Sequence, residues 1–111
     1  MDAKLRNEIY ELHARLCKAL ADPKRLLIIN ALRDGPKSVG ELTTELELSQ
    51  SNVSQHLAVL RERGVVTASR EGNNVFYELR DCKVVDALDL LREVMAAQLE
   101  SRTALQQAAG A

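Results

Sequence analysis

The 111-residue chain has no tryptophan, and its aromatic content is one Phe and two Tyr, 3% of the sequence. A core without large rings has to be aliphatic, built from Leu, Val, Ile and Ala, and such a core favours packed helices. No apolar run approaches the roughly 18–20 residues that a membrane-spanning helix needs. The opening Met1-Asp2-Ala3-Lys4-Leu5-Arg6 lacks the charged-then-apolar layout of a signal peptide. A cytoplasmic protein without membrane association is therefore expected, its two cysteines free thiols. An excess of charge is missing as well: 15 Lys and Arg stand against 16 Asp and Glu, a net charge of −1. That argues against a non-specific polybasic binder. It leaves specific DNA binding open, because the distribution of charge sets the local field. Catalytic signatures are also absent. There is no Gly-rich phosphate loop, no Gly-x-Ser-x-Gly, no cluster of metal ligands and no defensible His–Asp spacing. Neither an enzyme nor a bound cofactor is expected.

The chain is 46% hydrophobic and 28% charged, a globular composition sized for a single domain over 1–111. Leu5, Ile9, Leu12, Leu16 and Leu20 recur at steps of three or four and predict a helix over about 4–20. Asp22-Pro23 supplies an N-cap and a proline at the first helical position, opening a second helix over about 23–33 that Asp34-Gly35-Pro36 stops. Ser38 with Glu41 three residues on is a capping box for a third helix, about 39–47. Ser49 caps a fourth, about 50–63, with Val53, Leu57 and Leu60 inward and Gly64 at its end. The period then changes. Two β-prone runs around Glu71-Gly72-Asn73 predict a hairpin over 65–79. Asp81 caps a last helix, about 82–106, carrying Val84, Val85, Leu88, Leu91, Val94, Met95 and Leu99, and the Ala/Gln-rich tail from Leu105 is expected to fray. The order α-α-α-α-β-β-α predicts a mainly helical winged helix-turn-helix with a small β-hairpin. The framing first and last helices are too apolar for so small a core, so they are expected to bury each other across a two-fold homodimer.

In such a unit the second of two short helices joined by a tight turn can lie in the major groove. The outward face of 49–61 collects Gln50, Ser51, Ser54 and Gln55, with Asn52 and His56 alongside. These short polar groups donate and accept hydrogen bonds, as base edges and phosphates require. The small Ala58 permits close approach to the groove, and the helix N-terminus suits a phosphate oxygen. Arg61 and, around the hairpin, Arg70, Asn73, Asn74 and Arg80 are candidate DNA contacts, the hairpin residues for phosphate or the minor groove. A Ser/Gln-rich face on an arbitrary helix is more often merely solvated. Here the wing, the glycine stop and the preceding capped helix all fall in register with it.

The run Ala19-Leu20-Ala21-Asp22-Pro23-Lys24-Arg25-Leu26, then Ser38-Val39-Gly40-Glu41-Leu42, Leu48-Ser49-Gln50-Ser51-Asn52-Val53-Ser54-Gln55-His56-Leu57, Leu60-Arg61, Gly64-Val65-Val66 and the wing with Glu71-Gly72 and Tyr77 resembles the ArsR/SmtB family over roughly 12–95. The resemblance implies a dimeric winged-helix repressor that binds double-stranded DNA at an imperfect inverted repeat and leaves it on binding an effector. The family's Ser-x-x-Ser-x-His pattern falls on Ser51, Ser54 and His56.

Many members of that family sense metals, and the resemblance lets the ligands be sought position by position. Where a Cys-x-Cys pair serves on the third helix, this chain has Val39-Gly40-Glu41. Where the last helix needs Asp and His, then His and Glu, this chain has Asp81-Cys82-Lys83 and later Val94 and Ala97. Neither familiar metal site is expected. Cys17 and Cys82 remain as effector or redox candidates, and a helix's first turn, where Cys82 is expected, favours thiolate. A pair of ordinary cysteines is the plain alternative. His13 with Cys17, and Cys82 with Asp86, share faces at four-residue spacing and are weak candidates for a soft metal or an arsenical. The expected function is an effector-released, sequence-specific repressor, with thiol oxidation or reactive sulfur as one release signal. The alternatives are a metal- or arsenical-responsive repressor and a winged-helix protein–protein module that does not bind DNA.

Overall fold

Local capping chemistry sets most of the element boundaries. In the computed structural model, which describes residues 1–110, the Asp2 carboxylate accepts from the Leu5 N–H at 2.8 Å and starts α1 (Ala3–Leu20). Asp22 accepts from the N–H groups of Lys24 (2.8 Å) and Arg25 (3.2 Å) at the head of α2 (Pro23–Ala31), which passes into a 3₁₀ turn, Leu32–Asp34. Gly35 follows at φ 138°, a conformation that favours glycine. The capping box at α3 (Val39–Leu46) forms in both directions: Glu41 N–H donates to Ser38 Oγ at 3.2 Å and Ser38 N–H to Glu41 Oε1 at 3.1 Å. Ser49 caps α4 (Gln50–Glu62) through the Asn52 N–H at 3.2 Å.

The sheet has one strand more than the expected hairpin. β2 (Val66–Glu71) and β3 (Asn74–Leu79) pair antiparallel from Val66↔Leu79 to Glu71↔Asn74. A two-residue β1 (Lys37–Ser38) joins the other edge of β3 through Lys37↔Tyr77 and Ser38↔Phe76, giving the order β1-β3-β2. So short a strand has no alternation of its own; it exists because the chain entering α3 runs alongside β3. The turn at the wing tip has Gly72 at φ 62° and no positive φ at Asn73, which matches a hairpin turn with glycine at its first central position.

The chain forms two compact units, Met1–Asp81 and Cys82–Ala111. The first unit holds an aliphatic core as expected: Ile28, Ile29, Leu32, Leu42, Val53, Leu57, Leu60 and Val66 are fully buried, whereas Phe76 and Tyr77 are half-buried and Tyr10 is exposed. On α1 only Ala19 is buried, and Leu5, Ile9 and Leu12 of its apolar stripe stay exposed.

The second unit is α5 (Lys83–Gly110). It is helical through the Ala/Gln-rich stretch to Gly110, in keeping with the high helix propensity of Ala and Gln, and Ala111, the end of the tail expected to fray, lies outside the described residues. One expectation is corrected there. Cys82 lies one residue before the helix, its carbonyl accepting from the Val85 N–H at 3.0 Å, and so is not in the first turn proper. Leu90, Leu91, Val94, Met95, Leu99 and Leu105 are exposed along α5. Among the described residues no helix is long and apolar enough to cross a membrane.

Candidate nucleic-acid interface

α3 and α4 are joined by Glu47, Leu48 and Ser49, and the bend is made at Glu47, whose φ of 54° and ψ of 41° are left-handed. Val53, Leu57 and Leu60 fix α4 to the core, and this orientation leaves the opposite face open. Ser51, Ser54, Gln55, Ala58 and Glu62 fall on that face at helical spacing, and all five are exposed. Gln50 and Arg61 border it and are also exposed. Ser51 Oγ lies 3.3 Å from Ser49 Oγ, while Gln50, Ser54 and Gln55 hold no side-chain hydrogen bond among the described residues. Their donors and acceptors are therefore available to a ligand.

Asn52 and His56 lie on the flank and are half-buried. His56 is turned toward α2: its Nδ1 lies 3.4 Å from Arg25 Nη1 and its Nε2 4.0 Å from Asp22 Oδ1. The same Arg25 guanidinium donates from Nε to the Ala19 carbonyl at 2.5 Å and from Nη2 to the Lys18 carbonyl at 3.2 Å, at the end of α1. Partial desolvation pushes the Asp22 carboxyl up. The N–H groups of Arg25 and Lys24 and the charges of protonated His56 and of Arg25 outweigh this and hold it below the usual carboxylate value. Asp22 was legible as a cap. Arg25 was not legible as a joint, because its partners lie 6, 7 and 31 residues away.

Arg70, Asn73 and Asn74 are exposed at the outer end of the wing, Arg70 opposite Val75 and Asn74 opposite Glu71. Arg80 lies at the wing's base, its Nε 3.9 Å from where a Cβ on Gly64 would stand and its N–H bonded to the Val65 carbonyl. Cys17 on α1 and Cys82 before α5 are exposed free thiols in different units. His13 and Asp86 are exposed, and no group of three or more potential metal ligands exists among the described residues.

Two capped helices meeting at a tight bend, the second open on a polar face and followed by a β wing, define a winged helix-turn-helix regulator. The family described as bacterial regulatory protein, arsR family, matches residues 22–68. The transcriptional activator HlyU of Vibrio cholerae is 47% identical over 79 residues, 71% of this chain and 73% of that protein. Its reduced form matches with a TM-score of 0.71 at 41% identity, covering 82% of this chain and 96% of that one. The biofilm growth-associated repressor of Xylella fastidiosa is 38% identical over 85 residues, 77% of this chain and 75% of that protein. The crystal structure of the Xylella repressor BigR gives a TM-score of 0.72 at 33% identity, over 85% and 96% of the two chains. The homodimeric winged helix-turn-helix DNA-binding domain of Mb0332 from Mycobacterium bovis gives a TM-score of 0.78 at 28% identity, over 89% and 92%. The chain belongs to the arsR family of bacterial transcriptional regulators.

Proposed function

We propose that this protein is a homodimeric, sequence-specific transcriptional repressor that reads an imperfect inverted repeat with α4 and grips the backbone with its wing. The observation that carries the reading is the open face of α4, where Ser51, Ser54 and Gln55 stand exposed beside the small Ala58 on a helix anchored by a fully buried opposite face. Direct base contacts are assigned to Gln50, Ser51, Ser54 and Gln55, and Asn52 borders them. Arg61, Arg70, Asn73 and Asn74 supply backbone contacts. His56, tied to α2, positions the helix. The exposed apolar stripes of α1 and α5 support a dimer, as does the homodimeric M. bovis neighbour. The Xylella relative supports repression, whereas the Vibrio relative is an activator, so in vitro transcription from the bound promoter decides the sign. The exposure of Cys17 and Cys82 supports release by thiol oxidation or reactive sulfur. Loss of DNA binding on mild oxidation, abolished by Cys17→Ser or Cys82→Ser, is the result expected.

The test of base reading is fluorescence anisotropy on the duplex that the protein selects from a random-sequence library and on a scramble of it. Ser54→Ala and Gln55→Ala are expected to erode the preference for the selected duplex while leaving the salt dependence unchanged. Arg70→Ala is expected to weaken both duplexes alike and make the salt dependence shallower. Equal loss on both duplexes from the Ser54 and Gln55 variants would refute base reading by this face.

A further inference from the structure

We propose that Arg25 is a positioning residue for base reading: through His56 it ties the seat of α4 to the end of α1, and a proton on His56 Nδ1 breaks that tie. The inference rests on the DNA-reading role given to α4 above. Arg25 spends three nitrogens on three partners. Nε and Nη2 meet the Ala19 and Lys18 carbonyls in the last turn of α1, where i+4 donors run out, Lys18 accepting also from the Ala21 cap N–H at 3.2 Å. Nη1 meets His56 Nδ1. A guanidinium is planar, so the end of α1 and the flank of α4 are held in one orientation by one rigid group.

For the neutral ring, the contact with Arg25 sets the tautomer. A guanidinium only donates, so Nδ1 of His56 has to present a lone pair, and the ring proton sits on Nε2, which faces Asp22 Oδ1. A second proton places an N–H on Nδ1 directly opposite the Nη1–H groups of Arg25. Attraction there becomes repulsion, while the Nε2–H is drawn toward the Asp22 carboxylate. The anchor of α4 then passes from Arg25, which holds α1, to Asp22, which caps α2. Among the described residues, the charged groups in contact with the ring are Arg25 and Asp22. On α2 Lys24 is exposed, on α3 Glu41 closes the capping box and Glu45 pairs with Lys37, and on β2 Arg70 and Glu71 lie toward the wing tip. An imidazole is the side chain that changes charge between about pH 5 and 8. His56 follows Gln55 directly and lies two residues from Ser54, so a shift at this joint re-aims the reading face.

A charged His56 also adds attraction for any DNA, so the informative quantity is the ratio of affinities for the selected duplex and its scramble. For the wild type this ratio is expected to fall about tenfold between about pH 8 and pH 5.5 at fixed ionic strength, a loss comparable to one base contact. His56→Asn offers Oδ1 near the place of Nδ1 and does not titrate, so its ratio is expected to stay flat. Arg25→Lys, which keeps the charge but lacks the fork, is expected to start low at pH 8 and change little. A flat wild-type profile, or a His56→Asn profile as steep as the wild type, overturns the proposal. A second measurement needs no DNA: a double-mutant cycle of Arg25→Met and His56→Phe in urea unfolding. It is expected to show favourable coupling of about fivefold in the folding constant at pH 8, lost or reversed in sign at pH 5.5. No coupling at pH 8 overturns the joint. Failure of the wild type to select any duplex, with the coupling present, refutes the DNA-reading role and leaves the proton-sensitive joint standing.

Discussion

Glu47 is the one described non-glycine residue with positive φ, and replacing it tests how the bend of the helix-turn-helix is made. Its N–H donates to the Thr43 carbonyl, as does that of Leu48 at 3.3 Å, so hydrogen bonds of the backbone hold the left-handed conformation. The exposed carboxylate has no partner among the described residues. A side chain in this region costs about 1–2 kcal/mol through the clash of Cβ with the following carbonyl. Glycine removes the clash, but its freer unfolded chain takes back about 0.4–1 kcal/mol. Glu47→Gly is thus expected to stabilise the fold by about 0.5–1 kcal/mol, or roughly 2–5 °C in Tm for a chain of this length. Urea unfolding at fixed protein concentration should show a higher midpoint with an unchanged slope. Glu47→Ala, which deletes the carboxylate but keeps Cβ, serves as the control and should move stability by less than about 0.5 kcal/mol. If the glycine variant were no more stable than the alanine variant, the conformational argument would be wrong.

Leu57 is fully buried on the inner face of α4, and Leu57→Ala is expected to cost about 2–5 kcal/mol in urea unfolding, a large share of a typical domain's stability. Gly72→Ala meets open space but keeps φ 62°, so its cost should be purely conformational, about 1 kcal/mol in a thermal melt; no change would mean that the wing tip relaxes to another turn. Asp22 gives an acid-limb prediction whose sign follows from its lowered pKa. Its contribution is complete above the ordinary carboxylate value of about 4 and is lost as pH falls through the lower folded value. Asp22→Asn keeps an acceptor for the cap and should show a shallower loss of stability below about pH 4 than the wild type; identical acid limbs would exclude this carboxylate as the cause.

The elements read correctly from sequence are those whose signals are local. The Asp22, Ser38 and Ser49 caps each close over two or three residues, so chain order alone exposes them. β1 has no such signal, since its two residues owe their conformation to Phe76 and Tyr77 far along the chain. The left-handed bend at Glu47 was hidden for the opposite reason, because a residue type that avoids this conformation occupies it. Helical spacing placed His56 correctly on the flank of α4. Whether that flank meets water or another helix depends on how α2 packs across it, which no periodicity records. The open face itself was legible, because the burial of Val53, Leu57 and Leu60 leaves Ser51, Ser54, Gln55 and Ala58 no other side to occupy.

The charge on this face bears on how release from DNA can work. The reading residues are neutral, and the first ionic side chains along the open side of α4 are Arg61 and Glu62, of opposite sign. On the proposed reading, grip on the phosphates comes from a few cations such as Arg61, Arg70 and Arg80. For a dimer with about two to three such contacts per protomer, the slope of log affinity against log salt is expected to be roughly −4 to −5. Titration of anisotropy against salt measures it directly, and a slope near −10 would mean that basic residues other than these carry the backbone contacts. A grip of that size gives weak attachment to random DNA, and specificity then depends on where α4 points. For the dimeric repressor proposed above, an effector would not need to neutralise charge: re-aiming α4, held at its flank by Arg25 and Asp22, is expected to remove the base contacts and leave a small phosphate grip.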